Sequence, residues 1–280
     1  MFVPESEMFN YVQQGDTNFY AQSIRGAYRA FFDSNIQADF VSLADIGQYR
    51  IVYLPYPVML KQESAAKLKA YVENGGTLIS EGLPAYFGDH GHAGTTQPNY
   101  GLEQLFGAKE RYVEFTPDLL ENLTLEVAGK KICGRYFLQE YDPAGGKAAG
   151  HYDNGHLAAV EHESGKGRTL LIGTFPGGGY SLHPSAEGRA FFASLLQHAN
   201  VTPQVKTDNP RVQARLHTGA GGTYLWVTNP ARTSATVTVS PEIRTFTGAE
   251  DVWGDSRVAV QGRNLTLTIP GRDAAVIALR

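Results

Sequence analysis

The residues best placed to do chemistry begin with Ser80, in the stretch Gly75-Gly76-Thr77-Leu78-Ile79-Ser80-Glu81-Gly82. A short apolar run ends there in Ser-Glu-Gly, and several α/β hydrolases keep a nucleophile at the end of such a strand. The full elbow is Gly-x-Ser-x-Gly, but Leu78 occupies the first glycine position, so half of the pattern is present. A nucleophilic serine also needs a base within hydrogen-bond reach. His183 follows the later strand end "LIGTFPGGGY", beyond Gly177-Gly178-Gly179, while Phe175 and Pro176 at the strand end itself accept no proton. The residues favour a serine that closes a structural strand, with Ser80 and His183 as the alternative catalytic pair.

A second group is Asp89, His90 and His92 in the Gly-rich loop "FGDHGHAGTTQPNYG". Asp and His are metal ligands in kind, yet these three are crowded into one loop without a fourth partner. The expectation is a solvated or partner-contacting loop, with no metal and no cofactor. His151, His156 and His162, and the carboxylates Glu114, Glu126, Glu140, Asp142, Glu161 and Glu163, are spread over β segments and read as surface charge. Tyr49, Tyr53 and Tyr56 in "YRIVYLPYP" favour sheet packing over sugar stacking. "PGGGY" lacks the Lys-Ser/Thr ending of a phosphate loop and reads as a flexible turn. Cys133, the single cysteine, reads as a structural thiol in mid-strand and excludes a disulfide framework.

The elements that must carry these residues follow from periodicity. Met1 stands directly before "FVPESEMFNYV", read as a strand. Asp16 is a candidate N-cap for a helix over "TNFYAQSIRGAYRAFFDSN", in which Phe19, Ser23, Ala27 and Phe31 share a face and Asn35 marks the stop. "ADFVSL" and "YRIVYLPYP" read as strands, "KQESAAKLKAYVENGG" as a helix closed by Gly75, and "TLISEG" as a strand. "RTLLIGTFP" and "SAEGRAFFASLLQHAN" supply a further strand and helix, and "LTLEVAGKKICGRYFLQEY" and "GHLAAVEHESGKGR" read as antiparallel strands. The pattern predicts a mostly parallel sheet with helices on both faces. After the Pro-rich stretch 204–211, five short alternating runs predict a small antiparallel β-sandwich. The expected division is 1–203, a linker 204–211, and 212–280.

With 280 residues and 42% apolar content the chain can bury a substantial core. A net charge of −4 without a basic cluster argues against nucleic acid, and no apolar run is long enough to span a bilayer. The opening residues lack the layout of a signal peptide, so the expected location is the cytoplasm, in a bacterium.

Residues 1–200 resemble the class I glutamine amidotransferase-like, flavodoxin-like fold. Ser80 stands where those enzymes keep a nucleophilic cysteine and Phe175 where they keep a histidine, which argues against amidotransferase activity. A closer resemblance is to the trimerisation domain of glycoside hydrolase family 42 β-galactosidases, carried by "YRAFFDSNIQADFV", "YRIVYLPYPVMLKQESAAKLKAYVENGGTLISEG", "FGDHG", "YGLEQLFGAKERYVEF" and "GKGRTLLIGTFPG". Residues 212–280 resemble that family's C-terminal β domain. The resemblance implies a non-catalytic scaffold that assembles as a homotrimer beside a catalytic barrel, where the family's two catalytic glutamates lie. It implies a fragment, or a gene product separated from its barrel, since a barrel of about 250 residues does not fit beside these two domains. It also implies that the loop 88–100, with Tyr86, Phe87, Asp89, His90 and His92, contacts a neighbouring subunit or the rim of its barrel. A stand-alone hydrolase using Ser80 and His183, or a carbohydrate-binding module, are the alternatives.

Overall fold

The computed structural model describes residues 4–15, 18–115, 122–242, 246–254 and 256–280. The chain divides into two compact units: residues 1–30 with 39–201, and residues 31–38 with 202–280. The expected N-cap Asp16 lies outside the described residues. None of the described helices is long and apolar enough to cross a membrane.

The first unit runs α1 (Pro4–Gln14), α2 (Asn18–Asp33, in this unit as far as Ala30), β1 (Ile51–Leu54), α3 (Gln62–Glu73), β2 (Thr77–Ser80) and α4 (Leu102–Phe106). There follow β3 (Ala108–Phe115), β4 (Leu123–Val127), β5 (Lys130–Gly134), β6 (Phe137–Pro143), β7 (Lys147–Tyr152), β8 (Leu157–Ser164), β9 (Gly167–Ile172), α5 (Pro176–Leu182) and α6 (Ala186–His198). One seven-stranded sheet has the order β1-β2-β9-β8-β7-β4-β5, and β3 pairs with β6 apart from it. β1, β2 and β9 are mutually parallel, and the remaining strands extend the sheet antiparallel. Val52, Leu54 and Leu78 share a core with Ala65, Leu68 and Val72 of α3. Tyr53, of opposite parity, meets the ring of Phe192 in α6 at 5.6 Å. Helices therefore cover both faces of the parallel part.

Three local expectations are corrected. Within the segment after Met1, Pro4–Gln14 form the helix α1, not a strand. Its buried positions include polar Ser6 and Asn10, while Met8, Tyr11 and Val12 are exposed. Ser6 Oγ donates to the Met59 carbonyl at 2.8 Å, and Asn10 Oδ1 accepts the Tyr20 N–H at 3.2 Å, so tertiary hydrogen bonds replace an apolar stripe. "ADFVSL" forms no strand. "PGGGY" is no flexible turn but the buried first part of α5. A Cβ on Gly177 would come within 2.2 Å of the Ser23 carbonyl oxygen, and one on Gly179 equally near that of Cys133. The glycines let α5 lie at backbone distance from α2 and β5.

The second unit runs β10 (Val205–Thr207), β11 (Gln213–Gly219), β12 (Gly222–Asn229), β13 (Ala235–Pro241), β14 (Ala249–Asp251), β15 (Val258–Gln261), β16 (Asn264–Ile269) and β17 (Asp273–Leu279). They form two antiparallel sheets, β10-β13-β16-β15 and β11-β12-β17-β14. Alternate residues from both sheets, among them Leu225, Val227, Val237, Val239, Leu267 and Ile277, make one core. Asn35, at φ 57°, ends α2 as expected. Its amide also accepts the Ala214 N–H at 2.7 Å and donates to the Val212 carbonyl at 3.2 Å.

Candidate functional site

The carboxyl ends of β1, β2 and β9 are where an open parallel sheet binds ligands, and two features occupy them. The first is Glu81, the residue after Ser80, which is fully buried. Its carboxylate accepts from four donors. Tyr53 Oη at 2.8 Å and the Gly177 N–H at 2.7 Å reach Oε1, while Ser23 Oγ and the Tyr56 N–H at 2.9 Å reach Oε2. Each oxygen thus has two donors, and the group is satisfied without any external partner. Burial raises the Glu81 pKa, against the lowering effect of these hydrogen bonds. Burial beside this carboxylate also pushes the Tyr53 phenol well above its ordinary value. The arrangement ties β1, β2, α2 and α5 together, and the cradle holds no space for a substrate. Sequence reasoning passed over Glu81 because its partners stand 25 to 96 positions away.

Ser80 itself is fully buried, and its hydroxyl donates to the Glu81 carbonyl at 2.8 Å. His183 is an exposed residue at the end of α5, and no hydrogen bond among the described residues joins it to Ser80. Instead His183 lines, with Cys133, a cavity of about 10 Å³ that Ser80 does not reach. The half-buried Cys133 thiol is pushed up by burial, opposite to the shift an activated cysteine needs.

The second feature is the loop from the end of β2 to α4. Asp89 Oδ2 accepts the Gln62 N–H at 3.1 Å and the Tyr100 hydroxyl at 2.9 Å, which ties the loop to the start of α3. The Gln62 N–H, then the Tyr100 hydroxyl, hold the Asp89 carboxyl below its ordinary range. Phe87 packs on Phe9 with ring centroids 4.4 Å apart and touches Tyr86 at 5.2 Å, so both rings are half-buried. His90, at φ 65°, and His92 are exposed. Asp89 therefore shapes the loop, and the two imidazoles face solvent. Among the described residues no three His, Cys, Asp or Glu side chains come together as a metal site.

One surface expectation is corrected: Glu140 is only 5% exposed and pairs with the His156 ring, so it is no solubilising charge. Glu161 and Glu163 are exposed surface charges as expected, and with His162, Lys147, Arg168 and His198 they line an open cleft of about 350 Å³. Burial lowers the His198 pKa there. The cleft carries both signs of charge, with Arg168 Nε 3.8 Å from Glu163.

Comparison with known proteins places this geometry. The β-galactosidase trimerisation domain family matches residues 4–205. The β-galactosidase GalA of Bacillus licheniformis is 23% identical over 269 residues, covering 88% of this chain and 37% of that protein. LacA of Lactobacillus acidophilus, also a β-galactosidase, is 28% identical over 169 residues, 55% of this chain and 24% of that one. Among solved structures, a catalytic mutant of Gan42B, a GH42 β-galactosidase from G. stearothermophilus, superposes with a TM-score of 0.74 at 18% identity. It covers 94% of this chain and 37% of its own. The β-galactosidase of Bacillus circulans sp. alkalophilus gives 0.73 at 16% identity, over 93% and 38%. The chain thus spans between about a quarter and little more than a third of these proteins, and it belongs to the β-galactosidase trimerisation domain family.

Proposed function

We propose that this chain is the non-catalytic assembly portion of a β-galactosidase-like glycoside hydrolase. Its first unit would hold catalytic barrels in a closed homotrimer, in the cytoplasm of a bacterium. The observation that carries the reading is the family match over residues 4–205, which takes in nearly all of the first unit. The site geometry supports it. The buried carboxylate at the sheet's carboxyl end is fully engaged in holding elements together, and the serine beside it donates to a backbone carbonyl. Retaining glycosidases need two carboxyl groups about 5 Å apart across the scissile bond, and Glu81 is closed to a substrate.

In this reading the loop 88–100 presents His90 and His92 to a neighbouring subunit or to the rim of its barrel, with Asp89, Tyr86 and Phe87 setting its shape. The three parallel strands with helices on both faces support a flavodoxin-like, amidotransferase-like ancestry for residues 1–203. A β-sandwich over residues 202–280 would complete the chain, the expected linker 204–211 being part of it, with Val205–Thr207 as strand β10. The purified chain should leave a chromogenic β-galactoside intact. Turnover above the buffer blank, abolished by no trace-contaminant control, would refute the non-catalytic reading.

A further inference from the structure

The chain has two tryptophans, and both stand on the surface of the second unit: Trp226 is 41% exposed and Trp253 65%. They are not scattered. Their ring centroids lie 5.7 Å apart at an interplanar angle of 63°, and the His217 ring lies 6.2 Å from Trp226 on its other side. The register places Trp226 on the outer face of the sheet β11-β12-β17-β14, and Trp253, just after β14, packs beside it. One row across the strands reads Arg215, Trp226, Val276, and the next reads His217, Tyr224, Ala278, Glu250.

Trp253 is exposed yet firmly held. The Asp251 carboxylate accepts the backbone N–H groups of Trp253 at 3.1 Å, Gly254 at 3.2 Å, Ser256 at 3.2 Å and Val276 at 3.4 Å. These bonds fasten the turn that carries the indole to β17. The backbone beneath the exposed indole is thus ordered before a ligand arrives, which lowers the cost of binding there.

We propose that Trp226 and Trp253 form a carbohydrate-binding platform that stacks pyranose rings. A pyranose presents one flat face of C–H bonds and a rim of hydroxyls, so it calls for an aromatic surface flanked by mixed donors and acceptors. Glu250, with Arg280 paired to it at 2.6 Å, and the Tyr224 and His217 side chains supply that rim. A nucleic acid would meet the same rings, but its phosphates need a surplus of cations, and both cations beside this face are engaged: Arg280 with Glu250, and Arg215 with the Phe32 ring and the Ala214 carbonyl. The two indoles expose together roughly 250 Å², well short of the ~800 Å² per partner of a stable protein interface. That area suits one or two sugar rings. The inference concerns the second unit alone and does not rest on the assembly role of the first.

Because the chain has no other tryptophan, its intrinsic fluorescence reports on this platform directly. The full chain is titrated with lactose and with a β-1,4-linked galactotetraose. Expected is a saturable change in emission, matched by saturation-transfer NMR signals from the sugar ring protons. Trp253→Ala should weaken binding about tenfold or more by the NMR readout, with an unchanged far-UV circular dichroism spectrum. Trp226→Phe, which keeps a ring, should weaken it less than Trp226→Ala. A linear, unsaturated response, or equal NMR binding by Trp253→Ala, overturns the proposal. So does a Trp253→Ala chain that shows a changed oligomeric state while the wild type shows no sugar response, since the indoles would then cover a contact between copies.

Discussion

The backbone N–H of Gly177 donates to Glu81 Oε1 at 2.7 Å, joining the end of β2 to the first turn of α5 across 96 positions of sequence. The same carboxylate takes hydrogen bonds from Ser23 of α2 and from Tyr53 and Tyr56 at the end of β1. The carboxyl end of the parallel strands, where open sheets of this kind bind ligands, is filled here by a knot. Glu81→Gln replaces one acceptor oxygen by an NH₂ group that faces donors. The loss expected is about 3 kcal/mol or more, measured as a lower urea midpoint with an unchanged slope.

The pH dependence follows from the direction of the shift. Burial raises the Glu81 pKa above its ordinary value of 4.5, so the native state binds this proton more tightly than the unfolded chain does. The Glu81 contribution is then fully present below the unfolded value and declines as pH rises through the folded one. Urea unfolding from pH 4 upward should show that decline in the wild type. The Glu81→Gln chain should lack this component, and identical pH slopes in the two proteins would contradict the assignment.

Gly26 and Gly177 set the distance between α2 and α5. A Cβ on Gly26 would lie 1.8 Å from the Gly177 carbonyl oxygen, a backbone atom that cannot swing aside. Gly26→Ala should therefore destabilise by about 3 kcal/mol despite the better helix propensity of alanine. Gly47→Ala, where nothing lies within 4 Å, is the control and should be near neutral. Thermal unfolding of both variants decides the point.

Ser80→Ala removes one buried hydrogen bond to the Glu81 carbonyl and should cost about 1 kcal/mol. The same variant, and His183→Ala, should leave any background hydrolysis of p-nitrophenyl acetate unchanged. A parallel loss of esterase turnover in both variants would instead establish a working pair.

The long elements were legible in the sequence: the helices α2, α3 and α6 because their burial is one-sided and apolar, and β1, β2 and β9 because, covered on both faces, they read as short continuous apolar runs. α1 was read as a strand because its inner face is polar, held by Ser6 and Asn10 through bonds to distant residues. α5 was read as a turn because three consecutive glycines disfavour a helix locally, whereas the carbonyls of Ser23 and Cys133 leave room for nothing larger. The Glu81 knot had no local signature, since all its partners are remote in sequence. Its neighbour Ser80 carried the visible half-motif, and the structure gives that serine a backbone carbonyl as partner.

Sedimentation velocity of the purified chain across about 1–100 µM tests the assembly role most directly. The account predicts self-association that grows with concentration and converges on the mass of a trimer. A single monomeric species of 30.5 kDa throughout that range would contradict it.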